Sequence, residues 1–125
     1  MKQYKNIKGT KDLLQNESAT WRQLESYLHK FFQTYGYGEI RTPIIENTDL
    51  FLRGVGSETD IVSKEMYSWV DQSNNNITLR PELTAPIVRA YIQNNLKNNG
   101  PLSRLYYIGS LFRRERPQAG RQRQF

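Results

Sequence analysis

Six apolar side chains recur at helical spacing along residues 17–35. Trp21, Leu24, Leu28, Phe31, Phe32 and Tyr35 fall at i, i+3, i+7, i+10, i+11 and i+14, a single stripe on an amphipathic helix. Asn16 or Ser18 is placed to cap its start, and Gly36 suits the left-handed position that stops it. Core packing is the expected use of the stripe. Tyr37 to Arg41 reads as extended, and Pro43 then interrupts any regular ladder ahead of Ile44 and Ile45. Residues 48–56 are turn-rich or briefly helical, with Gly54 and Gly56 around Val55. Met66–Val70 and Ile77–Arg80 predict two strands of a hairpin joined by the polar stretch Asp71–Asn76. Tyr67 and Trp69 share one parity there and are expected to pack. Pro81 suits a helix's first turn. Leu83, Ile87, Val88, Tyr91, Ile92 and Leu96 then predict a second amphipathic helix, ending before Gly100-Pro101. Arg104–Arg116 reads as one long strand, with Leu105, Tyr107 and Leu111 on one face and Tyr106, Ile108 and Phe112 on the other. Pro117–Gly120 turns the chain, and Arg121–Phe125 begins a return strand.

Composition narrows the possibilities. A length of 125 residues corresponds to one domain or part of one. No apolar run approaches the roughly 18 residues of a membrane span. The N-terminus MKQYKNIKGTKDLL lacks the apolar core of about 7–15 residues that marks a secretory signal. The absence of cysteine excludes disulfides and thiolate metal sites and makes a reducing, cytoplasmic setting the default. His29 is the single histidine, so a histidine-based metal or catalytic cluster is not expected, and His29 itself reads as a surface or boundary residue without a partner. Glu58, Asp60 and Glu65 read as a solvated loop rather than a metal site. Apolar residues make up 37% of the chain. With the eight glycines exchanged for the eight tyrosines, that is still below the roughly 45–50% of ordinary domains. Together with a return strand that has only begun at residue 125, this predicts an N-terminal piece of a longer protein. Its core is either partly missing or partly covered by a partner.

Charge is unevenly distributed. Residues 1–100 carry 12 basic and 11 acidic side chains, whereas residues 101–125 carry six arginines and one acid, Glu115. On an extended strand i and i+2 share a face, so Arg113 and Glu115 point one way and Arg114 and Arg116 the other. With Arg121 and Arg123 on the return strand, this predicts a polar cleft. Arginine grips phosphate and carboxylate oxygens in bidentate fashion. A nearby carboxylate can accept hydrogen bonds from an exocyclic amine, and a terminal aromatic can stack on a base. A surface ion pair, or a basic tail neutralising nucleic-acid phosphates, would use the same residues. The tail needs neither the Pro-Gln-x-Gly turn nor the terminal Phe.

Phe112–Phe125, FRRERPQAGRQRQF, resembles motif 2 of the class II aminoacyl-tRNA synthetases in the form typical of the histidyl-tRNA synthetase family. Three further segments agree in order and spacing. IKGTKDLL at Ile7–Leu14 is similar to the family's N-terminal signature, YGYGEIRTPIIE at Tyr35–Glu46 resembles motif 1, and TLRPELTAPIVRAYI at Thr78–Ile92 resembles the stretch lining its amino acid pocket. The resemblance covers essentially the whole chain.

The resemblance implies an α+β fold on an antiparallel sheet with flanking helices, incomplete over residues 1–125. Motif 3 and the anticodon-binding domain would lie beyond Phe125. It implies a homodimer built on motif 1, with Pro43 as the motif proline, and no membrane association. It implies ATP-dependent activation of histidine, with Mg²⁺, and transfer to tRNA(His). Arg113 corresponds to the arginine contacting the ATP α-phosphate and the amino acid carboxylate. Glu115 corresponds to the acid reading the adenine amine, Phe125 to the aromatic beneath adenine, and Arg121 to a loop arginine near the β/γ-phosphates. Glu82 and Thr84 correspond to residues holding the histidine α-amino group, although a carboxylate at a helix start is common for dipole reasons alone. Leu83 departs from the Gly that bacterial members often carry between those two. On its own the piece is expected to be inactive or very weak. Two rivals remain. One is a synthetase-like regulatory subunit of histidine biosynthesis, a type that typically loses the complete motif 2. The other is a small basic RNA-binding module, which would spread its cations over one surface.

Overall fold

A computed structural model describes residues 1–52 and 64–125. The first helix, α1, spans Gln15–Thr34. It starts earlier than its expected caps: Leu14 holds the N-cap position without a side-chain cap, and Asn16 and Ser18 lie inside the first turn. Its C-terminus closes as the sequence predicts. Gly36 adopts φ +74°, its N–H donates to the Gln33 carbonyl, and the Tyr37 N–H donates to the Phe32 carbonyl. This pairing is a Schellman motif, whose left-handed residue favours glycine.

Strand β1 (Gly38–Glu39) runs parallel to β5 (Leu105–Tyr106). Strands β2 (Ile45–Asn47), β3 (Ser68–Val70) and β4 (Asn76–Leu79) form an antiparallel sheet in the order β2-β4-β3. The short helix α2 covers Asp49–Leu52, and α3 covers Thr84–Gln93. The fold is therefore α+β. Gly54, Gly56, Glu58 and Asp60 lie outside the described residues. No helix among the described residues is long and apolar enough to cross a membrane.

The β3–β4 hairpin turns on Asp71. Its carboxylate accepts the backbone N–H groups of Asn75 and Ser73, and Asn74 takes the left-handed conformation at φ +62°. Thr78 is fully buried in the central strand and shares hydrogen bonds of 2.7 Å with both the Thr48 and Ser68 hydroxyls. A polar side chain there is tolerated because both its neighbours answer it.

Several packing expectations are corrected. The α1 stripe is not a buried core, and no residue of α1 is buried. Leu28 and Phe32 are half-buried, Phe32 stacking on Tyr106 with centroids 4.6 Å apart. Trp21, Leu24, Phe31 and Tyr35 stay about half exposed, because no described segment lies over them. Trp69 is 43% exposed rather than packed, since it pairs with Ile77 on an open face of the sheet. The second helix ends at Gln93, short of the predicted length. Asn95 turns left-handed at φ +51°, and Leu96–Asn99 continue as a 3₁₀ turn. Val88 and Ile92 are exposed, while Ile87 and Ala90 are buried. Pro81 precedes the helix, and Pro86 instead occupies its first turn, where a missing N–H costs nothing.

The long strand over 104–116 is broken by one side chain. Arg80, 6% exposed, donates Nε–H to the Ser110 carbonyl at 2.9 Å and Nη1–H to the carbonyls of Thr42 at 3.0 Å and Pro43 at 3.5 Å. A Cβ on Gly109 would lie 2.5 Å from Nη2 of Arg80, so only glycine admits the guanidinium. Beyond this break, residues 111–114 regain strand-like alternation. Leu111 and Phe125 exchange backbone hydrogen bonds, and the Arg113 N–H donates to the Arg123 carbonyl. On the other side, the Phe112 and Arg114 N–H groups donate to the carbonyls of Arg80 and Glu65.

Arg80→Met should remove three hydrogen bonds from a buried cation and leave three carbonyls without that donor. A loss of about 3 kcal/mol is expected, read as a lower urea midpoint. Asp71 offers a pH test. The Asn75 N–H, ahead of the other turn donors, holds its carboxyl below the usual aspartate range. A depressed folded-state value means the contribution is complete above the unfolded value and is lost as pH falls through the folded one. The protection of the 71–76 amides relative to their intrinsic exchange rates should therefore fall in acid, and Asp71→Asn should abolish that dependence.

Candidate functional site

The arginine-rich segment forms its cleft because its ends are held on both edges. Gln118 and Arg121 close a tight turn, the Arg121 N–H donating to the Gln118 carbonyl at 2.9 Å, with Gly120 left-handed at φ +76°. The hairpin brings Arg113, Glu115, Arg121 and Phe125 around one cleft of about 330 Å³, whose wall also includes Gly120 and Gln122. That is near the lower end of the roughly 300–1,000 Å³ of ligand clefts.

Glu115 lies between two cations. Its carboxylate oxygens are 3.9 Å from Nη1 of Arg113 and 4.0 Å from Nη1 of Arg121. These are loose pairings on partly exposed side chains and so contribute little to stability. The carboxylate is left with capacity for another donor. Arg113 is more firmly set. Its Nε–H donates to the Pro81 carbonyl at 3.0 Å, and its guanidinium carbon sits 5.2 Å from the centroid of the Phe125 ring. One edge of the fork is thereby fixed and one face rests on an aromatic, an arrangement the sequence did not reveal. Arg114 and Arg116 are exposed. Arg113 and Glu115 share the cleft as expected, and Arg114 and Arg116 are not among its lining residues.

The Pro81 contact also ties the hairpin to the 81–84 turn. There Leu83 holds the N-cap position of α3, and Glu82 just before it does the capping with its side chain, the carboxylate accepting the Thr84 N–H at 2.6 Å and the Ala85 N–H at 3.1 Å. The Thr84 side chain is exposed. Leu83 has φ −103°, a backbone that needs no glycine, and its side chain lines a second, larger cleft of about 950 Å³. This cleft lies between residues 17–29 of α1, residues 39–42 and residues 107–110, and Phe125 and Gln122 border both spaces.

Pro43 sits in the same construction through its carbonyl contact with Arg80. Glu46, at the end of the same segment, pairs with Arg89 of α3 at 2.6 Å. His29 differs from expectation. It lies at a boundary but has partners, its Nδ1 sharing a 2.5 Å hydrogen bond with the Tyr106 hydroxyl and lying 3.8 Å from Glu39. Burial, reinforced by the Glu39 charge, pushes the Tyr106 pKa up. Glu65 is exposed, and among the described residues no three His, Cys, Asp or Glu side chains converge as a metal would require. Arg80 is the site residue that sequence reasoning missed. A buried arginine leaves no periodic trace, and Gly109 was its one available signal.

Comparisons with known proteins agree with this architecture. A family model described as histidyl-tRNA synthetase matches residues 9–125. A histidine–tRNA ligase of Pelodictyon phaeoclathratiforme is 55% identical over 126 aligned positions, covering all of this chain and 29% of the relative. Among solved structures, an apo histidyl-tRNA synthetase of S. aureus superposes with a TM-score of 0.75 at 39% identity, covering 96% of this chain and 27% of that one. A Bacillus halodurans protein titled ATP phosphoribosyltransferase regulatory subunit/histidyl-tRNA synthetase gives 0.76 at 26% identity, covering 98% and 30%. The chain thus spans under a third of the length of these relatives, and over that span it belongs to the histidyl-tRNA synthetase family.

Proposed function

We propose that the protein to which this chain belongs activates histidine with ATP and transfers the histidyl group to tRNA(His). Residues 1–125 would be the N-terminal part of its class II catalytic domain, with motif 3 and an anticodon-binding domain supplied by further sequence. The observation that carries the reading is the convergence of Arg113, Glu115, Arg121 and Phe125 on one cleft.

In the first step a histidine carboxylate oxygen attacks the ATP α-phosphorus in line. The bond to the bridging oxygen breaks, leaving histidyl-adenylate and pyrophosphate. Negative charge grows on the α-phosphate oxygens, and a guanidinium already held in place stabilises it without reorganising. Arg113 meets that requirement, since Pro81 and Phe125 fix its direction before any ligand arrives. The same cation would reduce repulsion between the carboxylate and the triphosphate. No general base is needed, because the attacking carboxylate is already ionised. Glu115 would accept from the adenine amine, Phe125 would stack on the base, and Arg121 would meet the outer phosphates. Mg²⁺ would neutralise the triphosphate charge. The described residues offer no converging ligand set for it, so no step is assigned through the metal.

Glu82 and Thr84 would hold the histidine α-amino group. Each Glu82 oxygen already serves the α3 N-terminus, so the carboxylate would act on the amine from a position fixed by capping. The half-exposed α1 stripe and the Pro43 segment would form the homodimer surface, which would explain why Trp21 remains 50% exposed. A regulatory-subunit reading has one point in its favour, the likeness to the Bacillus halodurans protein. The complete set of four cleft residues favours the synthetase.

Two measurements on the full-length parent decide the matter. It should catalyse histidine-dependent ATP–pyrophosphate exchange, and Arg113→Ala should lower kcat by about 10²–10³-fold. Absence of exchange in the intact parent would leave the regulatory reading. Undiminished exchange in the variant would remove Arg113 from the chemistry. Glu82→Gln should raise KM for histidine more than KM for ATP. A fall in thermal midpoint with both KM values unchanged would reduce Glu82 to a cap.

A further inference from the structure

The N-terminal turn Ile7–Thr10 makes contacts that neither the fold nor the proposed chemistry uses. It is a built turn rather than a loose end. The Thr10 N–H and hydroxyl both donate to the Ile7 carbonyl, at 2.9 and 2.6 Å, and the Asn6 amide donates to the Thr10 carbonyl at 2.9 Å. Lys11 pairs with Glu17 at 2.6 Å, joining the turn to α1. Gly9 takes φ +87°, and its carbonyl accepts the Arg123 N–H at 2.7 Å. The Arg123 carbonyl in turn accepts the Arg113 N–H at 2.9 Å. Three backbones thus run side by side, with Gly9 outermost, Arg123 in the middle and Arg113 innermost. The approach is close: a Cβ on Gly9 would meet Pro117 Cγ at 2.8 Å and Arg123 Cγ at 2.9 Å. A side chain at this position would also be strained by the positive φ.

We propose that the Ile7–Thr10 turn is a positioning strap for the 112–125 hairpin, and that Gly9 is its positioning residue. The strap sets the return strand, which sets the backbone of Arg113. It touches Pro117 and Arg123 on either side of the Gln118–Arg121 turn, so its influence falls mainly on the part of the cleft built by Glu115 and Arg121. The inference rests on the reading of that cleft as an ATP site, and it predicts that the strap governs ATP more than histidine.

The test uses Gly9→Ala in the full-length parent, with two independent readouts. In hydrogen–deuterium exchange, peptides within 111–125 should exchange faster than in the wild type while α1 peptides remain unchanged. In pyrophosphate exchange, KM for ATP should rise about ten-fold or more, as for a displaced binding group, while KM for histidine changes less than about two-fold. Gly9→Ala combined with Pro117→Ala removes the nearer clash and should recover part of the ATP KM. Unchanged exchange over 111–125 would overturn the strap. So would equal rises in both KM values with a lowered thermal midpoint, or no recovery in the double variant. If the hairpin loosens in the variant but the wild-type parent shows no pyrophosphate exchange, the strap stands and the synthetase reading falls.

Discussion

The structure depends on the burial of one cation, Arg80. Its guanidinium binds carbonyls of residues 42, 43 and 110, so it joins the segment before β2 to the one leading into the arginine hairpin. Its backbone N–H and carbonyl are committed as well, to Ile44 and Phe112. Desolvation pushes its pKa down, while the Glu46 charge works the other way. Burying a charge is costly unless its donors are answered. Here the answer comes from backbone oxygens rather than a carboxylate, so the geometry is set by the chain path itself. The Pro43 segment and the arginine hairpin are thereby held in one frame.

The hairpin is nearly the electrostatic opposite of Arg80. Its cations are partly exposed, loosely paired and arranged around a single carboxylate. Such a group contributes little to folding and is available for a polyanion. The rest of the chain is close to neutral, so the net charge of +6 reflects one concave feature rather than a basic surface. That distribution is not the spread of cations over one surface that a basic nucleic-acid-binding module would show.

Sequence made the local elements legible. The α1 stripe, the Gly36 stop, the 66–80 hairpin and the turn at Gly120 follow from periodicity and backbone preference, and the fourteen-residue resemblance located the cleft. Burial was less legible. Trp21, Val88 and Ile92 have the pattern of core residues but nothing described covers them, and periodicity identifies a face without saying what meets it. The Arg80 break was hidden because a single side chain crossing between segments has no period. Glu82 shows a further limit. Capping and ligand binding ask for the same carboxylate at the same place, and the contacts found are those of the cap.

The Gly9–Arg123 hydrogen bond joins residues more than a hundred positions apart in the chain. Closing so long a loop costs entropy before the contact returns anything, so such contacts belong to the late stages of folding. Helix α1 and the 66–80 hairpin are local and can form early. The hairpin cleft cannot reach its final shape until the intervening chain has collapsed and brought the two partners together. The arrangement of the arginines around one cleft is therefore tied to completion of the fold, and a partly folded chain would carry them without that geometry.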